Sequence, residues 1–163
     1  MQIRKSCSTD IEGIMKLYSY ARAQMRQNGN PNQWEDSYPS KAILEKDIFA
    51  GNSYVIEENG RICGTFAFII GDDPTYEIIE KGYWLNDEPY GTIHRIASDG
   101  TITGIFEKCL NYCQTQIANI RVDTHQDNLI MLHLLDKYGF QKCGIIYVRD
   151  GTPRIAYQKL CDK

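Results

Sequence analysis

Four consecutive pieces decide the fold: YGTIHRIAS (Tyr90–Ser98), DGTITGIFEKCLNYCQTQI (Asp99–Ile117), NIRVDTH (Asn119–His125) and QDNLIMLHLLDKYGF (Gln126–Phe140). The first and third are short and strand-like. In the second, Ile102, Ile105, Phe106, Cys109, Leu110, Cys113 and Ile117 keep helical spacing over four turns. In the fourth, Met131, Leu134, Leu135 and Tyr138 share one helical face, and Gly139 stands where a C-terminal glycine belongs. A strand, a helix and a second strand in this order make a right-handed parallel crossover from Tyr90 to His125.

Outward from that unit the chain reads as antiparallel pairs. Phe140 to Val148 and Pro153 to Lys159 form a closing hairpin around Arg149-Asp150-Gly151-Thr152. On the other side, Ser53 to Glu57 and Arg61 to Ile70 flank Asn59-Gly60, a dipeptide that accepts positive φ at both residues. Residues Gln2 to Lys5 read as a strand, and Thr9-Asp10-Ile11-Glu12 has the form of a capping box. An amphipathic helix follows through Met25 and ends at Asn28-Gly29-Asn30-Pro31; Ser40 caps a second helix reaching Ala50. The polar stretch from Gly71 to Pro89 has no periodic signal. The order β-α-α-β-β-β-α-β-α-β-β predicts an α+β fold, a mixed central sheet with helices on both faces, as one domain over residues 1–163.

With 163 residues the chain can bury roughly 70% of its unfolded surface, so no disulfide or metal is needed to hold it together. A net charge of −3 with no basic stripe argues against nucleic-acid binding. The longest apolar run, Phe66 to Ile70, is too short for a membrane span, and no apolar segment follows Met1-Gln2-Ile3-Arg4-Lys5 as a signal peptide requires. A cytoplasmic location is expected. Cys7, Cys63, Cys109, Cys113, Cys143 and Cys161 lack zinc spacing and are expected as buried free thiols, and no metal is expected.

Asn128 opening a helix that ends in Lys137-Tyr138-Gly139-Phe140 resembles the GNAT superfamily of acetyl-CoA-dependent N-acetyltransferases, whose helix there reads N-x-x-A-x-x-L-Y-E-K-x-G-F. Asn128, Leu134, Lys137, Gly139 and Phe140 match, and Asp136 stands in for the acidic residue. The family's [Q/R]-x-x-G-x-[G/A] pyrophosphate loop corresponds to Ser98–Gly104, where Ala97 replaces the Gln or Arg and Ile102 the second glycine. Backbone N–H groups at a helix start, not those two side chains, are what grip a pyrophosphate. The resemblance therefore implies a GNAT-like fold that binds acetyl-CoA through Ile96, Ala97, Ser98, Gly100, Thr101, Ile102, Thr103, Gly104 and Asn128. The alternative for the loop is a glycine-containing turn that caps an ordinary helix. Asp99 opposes an anion there unless its carboxylate points away or caps the helix.

The resemblance also implies direct transfer of the acetyl group to a small-molecule or peptide amine, with the cofactor held between strands Thr92–Ser98 and Asn119–His125. His94 and His125 are the candidates to accept the amine proton; for each, a structural hydrogen bond is the equal alternative. His133 falls off its helix's apolar stripe and is expected at the surface. Trp34 and Tyr38, on the loop joining the first two helices, are candidates for the acceptor wall, or else they fold onto the core. Tyr76, Tyr83 and Trp84 make the Gly71–Pro89 stretch a second candidate wall. An ion pair between Arg95 and Asp123 is expected across adjacent strands. The thiolate-protonating tyrosine of the family falls on Leu135, so Tyr138 is expected to pack, not to act as an acid. A catalytically inactive CoA-binding sensor or recruitment module is the alternative function. A homodimer is a candidate assembly.

Overall fold

The computed structural model describes residues 1–161. Its strands are β1 (Gln2–Lys5), β2 (Ser53–Glu58), β3 (Arg61–Ile70), β4 (Gly91–Ser98), β5 (Asn119–Thr124), β6 (Gln141–Tyr147) and β7 (Pro153–Leu160). The helices are α1 (Ile11–Gln27), α2 (Lys41–Phe49), α3 (Ile105–Gln116) and α4 (Leu129–Lys137). All seven strands lie in one sheet of order β1-β2-β3-β4-β5-β7-β6. Only the β4–β5 pair is parallel, as the crossover through α3 requires; the other pairs are antiparallel. The expected α+β architecture is thus present.

Helices cover both faces. On one, Phe106, Cys109, Leu110 and Cys113 of α3 and Leu135 of α4 pack on Phe66, Phe68, Ile93, Ile120 and Val122. On the other, Ile14, Leu17 and Tyr18 of α1 and Leu44 of α2 pack on Val55 and Ala97. Asn59 and Gly60 take φ of 52° and 77°, the left-handed pair that a two-residue Asn-Gly turn demands.

The N-terminal capping differs from expectation. Asp10, not Glu12, accepts from a backbone donor, the Cys7 N–H at 2.8 Å. The cause is Arg4 on β1, whose guanidinium grips the Asp10 carboxylate at 2.8 and 2.9 Å and draws Ser8–Asp10 into a 3-10 turn ahead of α1. Arg4 also holds the Asp10 carboxyl down at about 2. Glu12 is left in solvent, 3.7 Å from Lys16. Cys63, Cys109, Cys113 and Cys143 are buried, whereas Cys7 is exposed, against expectation. It sits in the polar turn that Asp10 caps.

The unassigned stretch before β4 is ordered by packing rather than by regular structure. It forms a 3-10 turn at Pro74–Tyr76 and a single bridge, Glu80 to Ile145. Tyr76, Ile79 and Trp84 cover Tyr90, Ile146 and Ala156, a third small core. Two glycines permit the contact. A Cβ on Gly82 would stand 1.8 Å from the Cys143 carbonyl oxygen, and one on Gly144 would stand 2.6 Å from that of Glu80. Gly144→Ala is therefore expected to cost about 1–3 kcal/mol in denaturant melts. Gly13→Ala, whose Cβ meets Ile62 at an ordinary 3.7 Å within α1, should instead stabilise by about 0.5–1 kcal/mol. A neutral Gly144→Ala would show that the segment does not rest on β6.

Candidate functional site

Strands β4 and β5 pair at Gly91–Ile120 and Thr92–Arg121 and then part. The cause lies in β4. Thr65 pairs with Ala97 and Ala67 with His94, so Arg95 and Ile96 together face the single residue Phe66. Arg95 takes φ 51°, an uncommon conformation for a residue with a side chain. This bulge breaks the in–out alternation of a regular strand. Ile93 and Ile96 both face α3 and α4, whereas Arg95 turns to α2. The side chain of Arg95 meets Asp47 with Nε 2.9 Å from Oδ2 and Nη2 2.8 Å from Oδ1. The expected Arg95–Asp123 pair does not form. Asp47, buried on α2, takes the guanidinium, and Asp123 accepts from the Tyr76 hydroxyl at 2.6 Å instead.

His94 lies beside the opening. Its Nε2 is 3.0 Å from Oδ2 of Asp73, and the Tyr76 ring centroid is 6.4 Å from its own. Burial pushes the Asp73 carboxyl up, but hydrogen bonds from His94 and Thr75 outweigh this and hold it at about 2. Burial, reinforced by the Asp123 carboxylate, pushes the Tyr76 phenol well above its ordinary value. His125 is placed differently. Its Nδ1 accepts from the Asp127 backbone N–H at 3.0 Å, which commits the lone pair a base would use. Burial and Arg154 pull its pKa down, against Asp127, and with Nδ1 accepting, the neutral ring carries its proton on Nε2. His133 is exposed, as expected.

Beyond β4, Gly104 with φ 78° opens α3. Asp99 does not face that helix start: it accepts the Thr101 N–H at 3.0 Å and hydroxyl at 2.6 Å, and it pairs with Arg61. Thr101, expected as a phosphate donor, is thus occupied, and its Oγ1 also accepts from Arg61 at 2.7 Å. Among the described residues none accepts from the amides of Ile102, Thr103 or Gly104. With the first amides of α3, these form the donor set at the helix start. Gly100 is needed for space and conformation: φ is 75°, and a Cβ would stand 2.7 Å from the Tyr20 hydroxyl. Ile102 turns partly into the α3 core.

Asn128 is engaged on both sides. Its Oδ1 caps α4 by accepting from Met131 at 3.1 Å, and its Nδ2 donates to Oε1 of Gln33 at 2.9 Å. The same Gln33 oxygen accepts from Asn30 at 2.9 Å and Thr124 at 3.4 Å, so the α1–α2 loop reaches across to the end of β5. Trp34 is 6% exposed and packs edge-on against Tyr18, within the core beneath α1. Tyr38 is half-buried and its hydroxyl accepts from Arg95 at 3.4 Å. Trp84 is committed to structure: its Nε1 donates to the Tyr76 carbonyl at 2.9 Å, and its ring lies 4.0 Å from the Arg121 guanidinium. Tyr83 is exposed. Shallow hollows of about 500 Å³ beside Met15 and Lys16 and about 420 Å³ beside Pro89 and Ile117 include neither His94 nor the 98–104 loop.

The sequence reading missed Asp73, Gln33 and Arg61. For Asp73 a signal existed, since Asp-Pro marks a turn start. For Gln33 and Arg61 none did.

A parallel seam thus opens beside a histidine and leads to a glycine-bounded helix start. No family model and no curated protein matches the chain. Solved structures do. A GNAT-family acetyltransferase from Streptococcus agalactiae 2603 is 36% identical, covers 99% of this chain and 96% of its own, and superposes with a TM-score of 0.90. One from Listeria monocytogenes 4b F2365 is 20% identical, with 98% and 94% covered and a TM-score of 0.72. N-acetylglutamate synthase from Neisseria gonorrhoeae, solved with coenzyme A and N-acetyl-glutamate, shares the fold at 16% identity, over 99% of this chain and 35% of its own, with a TM-score of 0.63. The chain belongs to the GNAT family of acetyltransferases.

Leu135, at the place of the family tyrosine, is fully buried. Tyr138 packs on Phe106 with centroids 5.8 Å apart and donates to Glu107 at 3.3 Å. Tyr138→Phe should leave kcat within a few-fold of the parent, because a lost general acid typically costs about 10²–10⁴-fold. A steady-state loss of that size in a folded variant would assign the acid role to Tyr138.

Proposed function

We propose that this enzyme transfers an acetyl group from acetyl-CoA directly to the amine of a small molecule or peptide, with His94 as the proton acceptor. The observation that carries this reading is the opening of β4 from β5 after Thr92, directly ahead of the helix start at Gly104. In it, the acetyl-pantetheine arm lies between the strands against Ile96, Ala97 and Ser98. The amides from Ile102 to Gly104 and the first turn of α3 take the pyrophosphate, with helper charge from Arg61. Asn128 reaches the arm once it exchanges Gln33 for it. Backbone donors at the β4 bulge face the oxyanion that develops as the amine attacks. Gln33 and Tyr38, rather than Trp34 or Trp84, line the acceptor side. Among the described residues no helix is long and apolar enough to cross a membrane, and a cytoplasmic site of action is part of the proposal.

The second reading is a module that binds CoA without turnover, and buried Leu135 in place of a thiolate-protonating tyrosine favours it. Against it, a thiol is acidic enough that CoA can depart unprotonated. Thiol release from acetyl-CoA, measured against a panel of polyamines, amino acids, aminoglycosides and peptide N-termini, separates the two. Amine-dependent release supports the enzyme, and CoA binding with no release supports the module.

The loop is tested separately. Gly100→Pro cannot keep the φ of 75° there, and Gly104→Glu brings strain and a negative charge to the start of α3. Titration calorimetry should show CoA affinity reduced at least tenfold in both. Unchanged affinity would remove the pyrophosphate from this loop.

A further inference from the structure

We infer that Asp73 is a positioning residue that fixes the tautomer of His94 and so turns its Nδ1 toward chemistry as the proton acceptor. This rests on the acetyltransferase reading above and names a residue in a segment that no strand or long helix contains. Asp73 is held from three sides. Its Oδ1 accepts from the Thr75 N–H at 2.9 Å and the Thr75 hydroxyl at 2.7 Å, and its own N–H donates to the Tyr90 hydroxyl at 2.7 Å. That leaves Oδ2 aimed at Nε2 of His94, 3.0 Å away, with both side chains about one-fifth exposed.

An ionised carboxylate only accepts hydrogen bonds. The proton of a neutral His94 must therefore sit on Nε2, and the bare lone pair is on Nδ1. The arrangement has the logic of a carboxylate that orients a catalytic imidazole and stabilises the imidazolium formed during turnover. The charged and titratable groups around it leave Asp73 as its direct partner. Asp123 on β5 is engaged by the Tyr76 hydroxyl, Arg95 is engaged by Asp47 of α2, and Arg121 is stacked on Trp84 and Tyr90.

The step balances without a further reactant. The neutral amine forms the N–C bond to the acetyl carbon, and the carbonyl π pair moves onto oxygen. The nitrogen proton passes to Nδ1 of His94. The oxyanion pair then re-forms the carbonyl as the C–S bond breaks, and CoA leaves as thiolate. That thiolate takes up one proton, which the imidazolium returns through solvent, so the products are the amide and CoA thiol.

Capping the turn at Pro74–Tyr76 would by itself account for an aspartate at position 73, so the test separates the two roles. Asp73→Asn keeps an oxygen for Thr75 but presents an N–H to Nε2. His94 must then accept there and carry its proton on Nδ1. Imidazole ¹⁵N chemical shifts, which need no substrate, should report Nε2–H in the parent and Nδ1–H in the variant. In the thiol-release assay kcat should fall on the order of 10²-fold or more. KM for acetyl-CoA should stay within about twofold, and Asp73→Asn should add little to the loss caused by His94→Gln. A folded Asp73→Asn variant with parental kcat, or a parent His94 carrying its proton on Nδ1, overturns the inference and leaves the acetyltransferase reading standing. A parent that releases no thiol with any amine overturns both.

Discussion

The bidentate pair between Arg95 and Asp47 is the constraint on which the site depends. A non-glycine residue in the left-handed region is strained by roughly 1–3 kcal/mol and persists only when its surroundings hold it. Here the holder is a buried charge pair, from which removing one partner typically costs about 3–5 kcal/mol because the other charge is stranded. That is enough to keep an extra residue in β4. The bulge re-aims the strand, pairing with β5 stops after Thr92, and the backbone beyond it is released from the sheet. Helix α2 thus shapes the central seam from a distance, through one carboxylate.

A second set of contacts places the other half of the site. Gln158 is fully buried on β7 and donates to Asn119 at 2.6 Å and Asn86 at 3.1 Å, while accepting from the Leu85 N–H at 2.8 Å. Arg121, 4% exposed, is sandwiched between Trp84 and Tyr90 at 4.0 and 3.9 Å and donates to the Asn86 carbonyl. These interactions tie residues 84–90 to β5 and β7, and the Gly82 and Gly144 approach ties the preceding residues to β6. The segment between β3 and β4 is therefore tied to the sheet at several points, and Asp73 stands at hydrogen-bond distance from His94. There is a local cost. Arg121 Nε and Thr92 Oγ1 are buried without partners among the described residues, and they sit at the last register where β4 and β5 pair.

What could be read in the sequence was whatever repeats at the period of a helix or strand. The stripe from Ile102 to Ile117, the Asn-Gly turn and the Asn128–Gly139 helix are local signals, and each marked its element. The bulge at Arg95 is not local. It depends on Asp47, 48 positions away, and the partner expected for Arg95 across adjacent strands was the wrong one in consequence. Trp34 shows a similar dependence: an aromatic on a polar loop reads as exposed until the surface that buries it is known, and here that surface includes Tyr18. Asp73 and Gln33 act through single hydrogen bonds from irregular segments, which leave no periodic trace.

The two histidines show why position along the sequence could not rank them. His94 lies on β4 and His125 just past the end of β5, and both are half-buried. A neutral imidazole has one donor and one acceptor nitrogen, so its usefulness as a base is set by which of them the protein consumes. At His125 a backbone N–H consumes the acceptor, and burial with Arg154 nearby disfavours the imidazolium. At His94 the carboxylate takes the donor, so the hydrogen bond to Asp73 does not consume the acceptor nitrogen.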